Sequence, residues 1–171
     1  MVDTNVLIAA SATLQNSPMA LVATPEDFDL RYEVWKWLTC FSESCSRLVL
    51  DGQQEIDAEY RHKLMYPDYG LQVVQNKWDT LCVDMVDVSY DRDGYAVLEE
   101  PLLTVIHDRA DRKMVAAAQV ALCEYGFCAI AFAADSDWHE WEESLYTAGL
   151  QLEPIIEGWS RSKHLEKKSK K

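Results

Sequence analysis

Three apolar runs in this sequence end directly in an aspartate. Val2 leads into Asp3, Leu48-Val49-Leu50 into Asp51, and the run from Phe127 to Ala134 into Asp135. Asp108 and Asp111 open an Ala-rich stretch just before the last of these runs, and Glu55 and Glu59 lie one helical turn apart soon after Asp51. In a parallel α/β sheet, ligands bind outside the carboxyl ends of the strands, so neighbouring strands would bring these acids to one edge. Carboxylates gathered in one place repel each other, and a hard divalent cation relieves the repulsion. Asp3 and Asp135 weigh most in this reading, because each directly ends a strand.

The same acids have a plainer use. Asp51 with Gln54, Asp108 with Asp111, and Asp137 with Glu140 fit helix-capping patterns, and acids at helix N-termini suit the helix dipole. On pattern alone, capping is the favoured role for Asp51, Asp108 and Asp137. Glu59 can pair with Lys63 one turn on. His62, His107, His139 and His164 have no partner at metal-ligand spacing, and no Gly-rich phosphate loop, nucleophile elbow or dinucleotide fingerprint occurs.

The elements that must position these acids alternate in type. Residues 1–3 read as the end of a strand and Val6 to Leu14 as a helix. Thr24-Pro25-Glu26-Asp27 reads as a helix start, with Thr as the cap, and Phe28, Tyr32, Trp35 and Leu38 continue at helical spacing to about Cys45. Arg47 to Leu50 is a short buried strand, 53–65 a helix, 71–81 a helix and 83–89 a strand, followed by a turn at Asp91-Arg92-Asp93-Gly94. Asp111 to Tyr125 is a helix ended by Gly126, Phe127 to Ala134 a fully buried strand, Trp138 to Thr147 a helix, and Leu152 to Ile156 a last strand. The alternation predicts an α/β fold, a three-layer α/β/α sandwich around a mainly parallel central sheet. Residues 1–159 read as a single domain and 160–171 as a basic, disordered tail.

Composition limits the rest. Six Gly and five Pro in 171 residues leave little room for linkers or a turn-rich all-β fold. The longest apolar run is eight residues, against about twenty for a membrane span, and no basic-then-apolar leader opens the chain. Cys40, Cys45, Cys82, Cys123 and Cys128 include no C-x-x-C pair, which suits free, mostly core thiols in the cytoplasm. Trp35, Trp37, Trp138 and Trp141 read as packing residues. The net charge is −13, and residues 161–171 hold six of the sixteen basic residues and one of the twenty-nine acids, so the remainder stands near −18. Such a body repels phosphate backbones unless cations or the basic tail intervene.

The pattern resembles a PIN domain, the fold of a family of metal-dependent nucleases. Val2-Asp3-Thr4-Asn5-Val6-Leu7 is similar to the family's first strand and Asp-Thr-Asn opening, and Ile56-Asp57-Ala58-Glu59-Tyr60-Arg61 to its Glu-bearing helix. Asp111-Arg112-Lys113-Met114-Val115-Ala116 resembles its Asp-Lys/Arg helix start, and Ala134-Asp135-Ser136-Asp137-Trp138 the end of its fourth strand. All four occur in order across nearly the whole chain. The resemblance implies that Asp3, Glu59, Asp111 and Asp135 form the catalytic and metal-holding cluster, with Asp137 as an accessory ligand and Thr4 or Asn5 orienting Asp3. Glu55 competes with Glu59 for the second acid, and the Glu-Tyr-Arg match favours Glu59.

The resemblance also implies a function. One or two Mg2+ or Mn2+ ions would acidify a water and neutralise the transition state of phosphodiester hydrolysis. The implied substrate is RNA, with DNA as the alternative, gripped by Thr4, Asn5, Arg109, Arg112, Lys113 and the tail. Members of the family often act as toxins, so an antitoxin or other protein partner is implied, and a homodimer is compatible. A rival is a PIN-like interaction protein that does not cut. It is favoured by Ala134, where the family often has a small hydroxyl residue, and by the two residues before Asp3. A receiver-like phosphoacceptor domain ranks third, for want of a Lys just after a late strand.

Overall fold

The computed structural model describes residues 1–14 and 17–170. Its first residues are extended: the Asp3 N–H donates to the Ala131 carbonyl at 2.8 Å, and the Ala131 N–H to the Met1 carbonyl at 3.1 Å. Val2 thus bridges Ala131 in parallel. The chain turns at once into helix α1 (Thr4–Ser11), because Asp3 sits at its N-cap and its carboxylate accepts the Asn5 N–H. A short 3-10 turn (Pro18–Leu21) and helix α2 (Phe28–Glu43) follow, then strand β1 (Leu48–Asp51), helices α3 (Glu55–Lys63) and α4 (Tyr69–Asp79), and strand β2 (Val83–Val86). The second half contains α5 (Leu102–Val105), α6 (Arg112–Tyr125), β3 (Ala129–Phe132), α7 (Trp138–Thr147), β4 (Gln151–Pro154) and α8 (Glu157–Lys170).

The fold is mixed α/β with short parallel strand pairs. β1 pairs with β2 from Leu48↔Val83 to Asp51↔Val86, and β3 with β4 from Ala129↔Gln151 to Phe132↔Pro154. The expected single parallel sheet is therefore present as two pairs. The reason lies at Val2, whose backbone groups face away from β3 because those of Met1 and Asp3 face it. Its carbonyl accepts the Tyr60 hydroxyl instead of a β1 amide. Among the described residues no backbone hydrogen bond joins residues 1–3 to β1. Towards the amino ends of the strands the gap opens into a cavity of about 480 Å³, walled by Trp37, Phe41, Val49, Ala129 and Ala131 and containing none of the candidate acids.

Helix α6 shows how sequence makes an element here. Its Val115, Ala117, Ala118 and Ala121 are wholly buried, and the small side chains let it lie against β1, β2 and β3 together. Gly126 stops it with φ +78°, a conformation that suits glycine, and its N–H returns to the Leu122 carbonyl. On the other side of the site, α1 crosses α4 at Gly70, whose N–H donates to Ser11 Oγ at 2.8 Å.

Several expectations need correction. Helix α2 starts at Phe28 with Asp27 as its cap, not at Thr24. The Arg31 guanidinium holds the preceding segment as a loop through the carbonyls of Pro25, Ala23 and Ala20. The last apolar run is strand only over Ala129–Phe132, and Phe127 is 68% exposed rather than buried. Cys40, Cys45 and Cys123 are exposed, and only Cys128 is buried. The tail from Ser160 is not disordered through Lys170: α8 docks on α7 by a buried 2.8 Å hydrogen bond between His139 Nε2 and Ser160 Oγ, while Lys171 lies outside the described residues. No helix among the described residues is long and apolar enough to cross a membrane.

Candidate metal centre

Asp3, Asp111 and Asp135 come together from three distant parts of the chain. Each is delivered by an element end: the start of α1, the N-cap position of α6, and the turn between β3 and α7. Each offers one carboxylate oxygen, and the three oxygens lie within 4.8 Å of one another. Asp3 is buried and doubly oriented, one oxygen accepting the Asn5 N–H at 2.7 Å and the other the Trp138 indole N–H at 3.1 Å. Asp135 is aligned by the Asp137 N–H, at 2.9 Å. Asp111 has no cap hydrogen bond from its side chain. Among the described residues, none of the three forms an ion pair.

The electrostatic cost of this arrangement is visible in the acidities. Burial, then the nearby Asp135 charge, pushes Asp3 up to about 7, against the pull of its two N–H donors. Burial, then the charges of Asp3 and Asp135, pushes Asp111 up to about 8. Asp135 is also raised, chiefly by burial, with the Lys167 ammonium acting in the opposite sense. Three carboxyl groups that resist ionising together are the setting that a divalent cation stabilises. The donor set is all oxygen, without thiolate or imidazole, which fits Mg2+ or Mn2+ better than a soft ion.

The other acids are committed elsewhere. Glu59 faces the site but accepts the Thr4 hydroxyl at 2.5 Å and pairs with Lys113 at 2.6 Å, not with Lys63. Glu55 is exposed and Glu59 half-buried, which separates the two candidates for the second acid. Asp51 is fully buried and caps α3 by accepting the N–H groups of Glu55 and Ile56. Asp108 accepts the Ala110 N–H, and Asp137 pairs with Lys167 at 2.8 Å rather than capping α7 with its side chain.

The expected substrate grips divide in the same way. Asn5 orients Asp3 through its backbone, and Thr4 orients Glu59 instead of Asp3. Arg112 is used structurally, donating to the carbonyls of Ile106 and Leu103. Arg109 lies over the Tyr95 ring at 3.7 Å and reaches Asp91 and Asp93. Lys113 is bound to Glu59. Trp138, a packing residue by its sequence pattern, has a second role, because three residues after Asp135 its buried indole N–H reaches Asp3. Comparison of the chain with family models, curated proteins and solved structures finds no match.

Proposed function

We propose that this protein is a PIN-like nuclease that uses Mg2+ or Mn2+ to hydrolyse phosphodiester bonds, most simply as a cytoplasmic endoribonuclease built as one three-layer α/β/α domain. The observation that carries the reading is the meeting of Asp3, Asp111 and Asp135 within 4.8 Å, without a cationic partner among the described residues. The exposed free thiols suit a reducing compartment. When bound, the cation supplies charge neutralisation at the scissile phosphodiester and an acidified water.

The chain's own groups do the positioning. The Asn5 amide and the Trp138 indole hold Asp3 in one rotamer, and the Asp137 amide holds Asp135. Lys113 offsets part of the charge of Glu59, a fourth acid at the site whose repulsion still contributes to raising Asp3 and Asp111. The strongly acidic body explains why substrate capture would depend on cations, and Arg109 with the lysines of α8 are the cationic groups offered for it. RNA as the substrate, an antitoxin-like partner and a homodimer remain the proposals that the resemblance implies. The engagement of Glu59 by Lys113 favours a second reading, a PIN-like scaffold that binds partners without cutting.

Incubation of the full chain with single-stranded RNA and Mn2+ decides between them. Cleavage that is stopped by a chelator and by Asp135→Asn supports the nuclease. RNA left intact at saturating Mn2+ favours the non-cutting scaffold.

A further inference from the structure

We infer that Lys167 is the resident counter-ion of Asp137, and that the docking of α8 thereby sets the cation affinity of the acidic site. The inference rests on the metal reading and adds a regulating element to it. Helix α8 leaves β4 and runs along α7, fixed first by the buried His139–Ser160 contact. Arg161 next grips Glu142 at 2.9 and 3.0 Å and Glu157 at 2.7 Å. Two turns further on, Lys167 Nζ reaches Asp137 Oδ1 at 2.8 Å, at the N-cap position of α7. The backbone of that same Asp137 holds the candidate ligand Asp135.

Besides Asp108, whose charge also reaches Asp111 and Asp135, five carboxylates stand around the site in two conditions. Asp3, Asp111 and Asp135 are uncompensated, while Glu59 and Asp137 each have a lysine. The two lysines differ in exposure. Lys113 is 16% exposed against a 29% exposed Glu59, whereas Lys167 is 57% exposed against a 30% exposed Asp137. A solvent-reachable ion pair of this kind is weak and exchanges readily. Lys167 also acts on Asp135 itself, drawing its carboxyl down against the effect of burial. A cation entering the cluster meets that ammonium as a like charge, and finds Asp137 occupied. The exposed Lys167 is held beside the cluster by Asp137, so both effects pass through that pairing and Lys167 is a positioning residue.

The experiment is calorimetric titration of Mn2+ into the full chain at fixed pH and low salt. The chains compared are wild type, Lys167→Gln, Lys167→Arg, Asp137→Asn, the Lys167→Gln/Asp137→Asn double variant, and Asp3→Asn. Removing one ammonium at this range is expected to tighten Mn2+ binding roughly three- to tenfold. Lys167→Arg, which keeps the charge, should restore wild-type affinity, and the gain from Lys167→Gln should shrink below about twofold on the Asp137→Asn background. Unchanged or weaker binding in Lys167→Gln, with binding abolished in Asp3→Asn, overturns the inference and leaves the metal site standing. Absence of saturable binding in the wild type overturns the metal reading, and the inference with it.

Discussion

Asp3→Asn is expected to abolish tight Mn2+ binding and at the same time to make the protein more stable. The loss of one of three carboxylate ligands should weaken Mn2+ by about a hundredfold or more, since even partners beyond the ligands are worth 10- to 100-fold. The gain in stability has a defined pH dependence. The folded protein holds the Asp3 proton up to about 7, while the unfolded chain releases it near 3.8. Between those values the native state binds more protons than the unfolded state, so stability falls as pH rises. Whatever Asp3 contributes is fully present below pH 4 and gone above pH 7. Asparagine does not titrate. The difference in thermal midpoint between Asp3→Asn and wild type should therefore be slightly negative at pH 4, where only the lost hydrogen bond counts, turn positive as pH rises through 7 and level off by pH 8. Shared repulsion with Asp135 and the loss of one hydrogen bond bring the gain to about 2 kcal/mol, or roughly 4–8 °C for a chain of this size. Calorimetric scans at the two pH values, with and without Mn2+, measure both effects. A variant that melts with wild type at pH 8 and still binds Mn2+ would refute the assignment.

Gly70→Ala is the substitution expected to damage the fold most. A Cβ at position 70 would stand 2.6 Å from the Leu7 carbonyl oxygen, 2.7 Å from Leu7 Cβ and 2.8 Å from Leu7 Cα. Two of these are backbone atoms, which cannot rotate away. Alanine is the better helix former by about 1 kcal/mol, so propensity alone predicts stabilisation, and the clash decides the sign. The contact also falls on the carbonyl that accepts the Ser11 hydroxyl, the same hydroxyl that receives the Gly70 N–H. Overpacking of this kind costs about 3 kcal/mol, read as a shift in the urea midpoint at unchanged slope. Because Leu7 and Asp3 belong to one short helix and its cap, any repacking that tolerates alanine should displace Asp3 and weaken Mn2+ binding as well.

The sequence showed the helices that carry their own punctuation. Helix α6 ends at Gly126, and α7 begins at Trp138 and ends at Thr147 as its apolar spacing requires. The pattern of acids at element ends included Asp3, Asp111 and Asp135 but equally Asp51 and Asp108, and it was the family resemblance that set the three apart, together with Glu59, which the cluster leaves out. The fate of Glu59 was not legible. Lys113 is 54 positions away in sequence and Thr4 is 55, so only the folded chain makes them neighbours, and the local Glu59–Lys63 spacing pointed to the wrong lysine. Helix α8 was hidden for a related reason. Its sequence from Ser160 has little apolar periodicity, and what orders it is a buried His139–Ser160 bond and two ion-pair contacts with α7. The bond from the Tyr60 hydroxyl to the Val2 carbonyl, beside which the sheet divides into two pairs, joins residues 58 positions apart and was equally out of reach of local pattern.

The hydrogen bond from the Trp138 indole to Asp3 makes the protein its own optical probe. Of the six tryptophans, Trp138 is the one bonded to a member of the three-carboxylate cluster, and it is fully buried. The charge on its acceptor changes with protonation and with cation capture, and the emission of an indole responds to such a change. The difference in fluorescence between wild type and Trp138→Phe isolates that one ring from the other five. It should trace a titration centred near pH 7 without metal and move to lower pH as Mn2+ is added. The occupancy of the centre is then readable from the ultraviolet emission of the unlabelled protein.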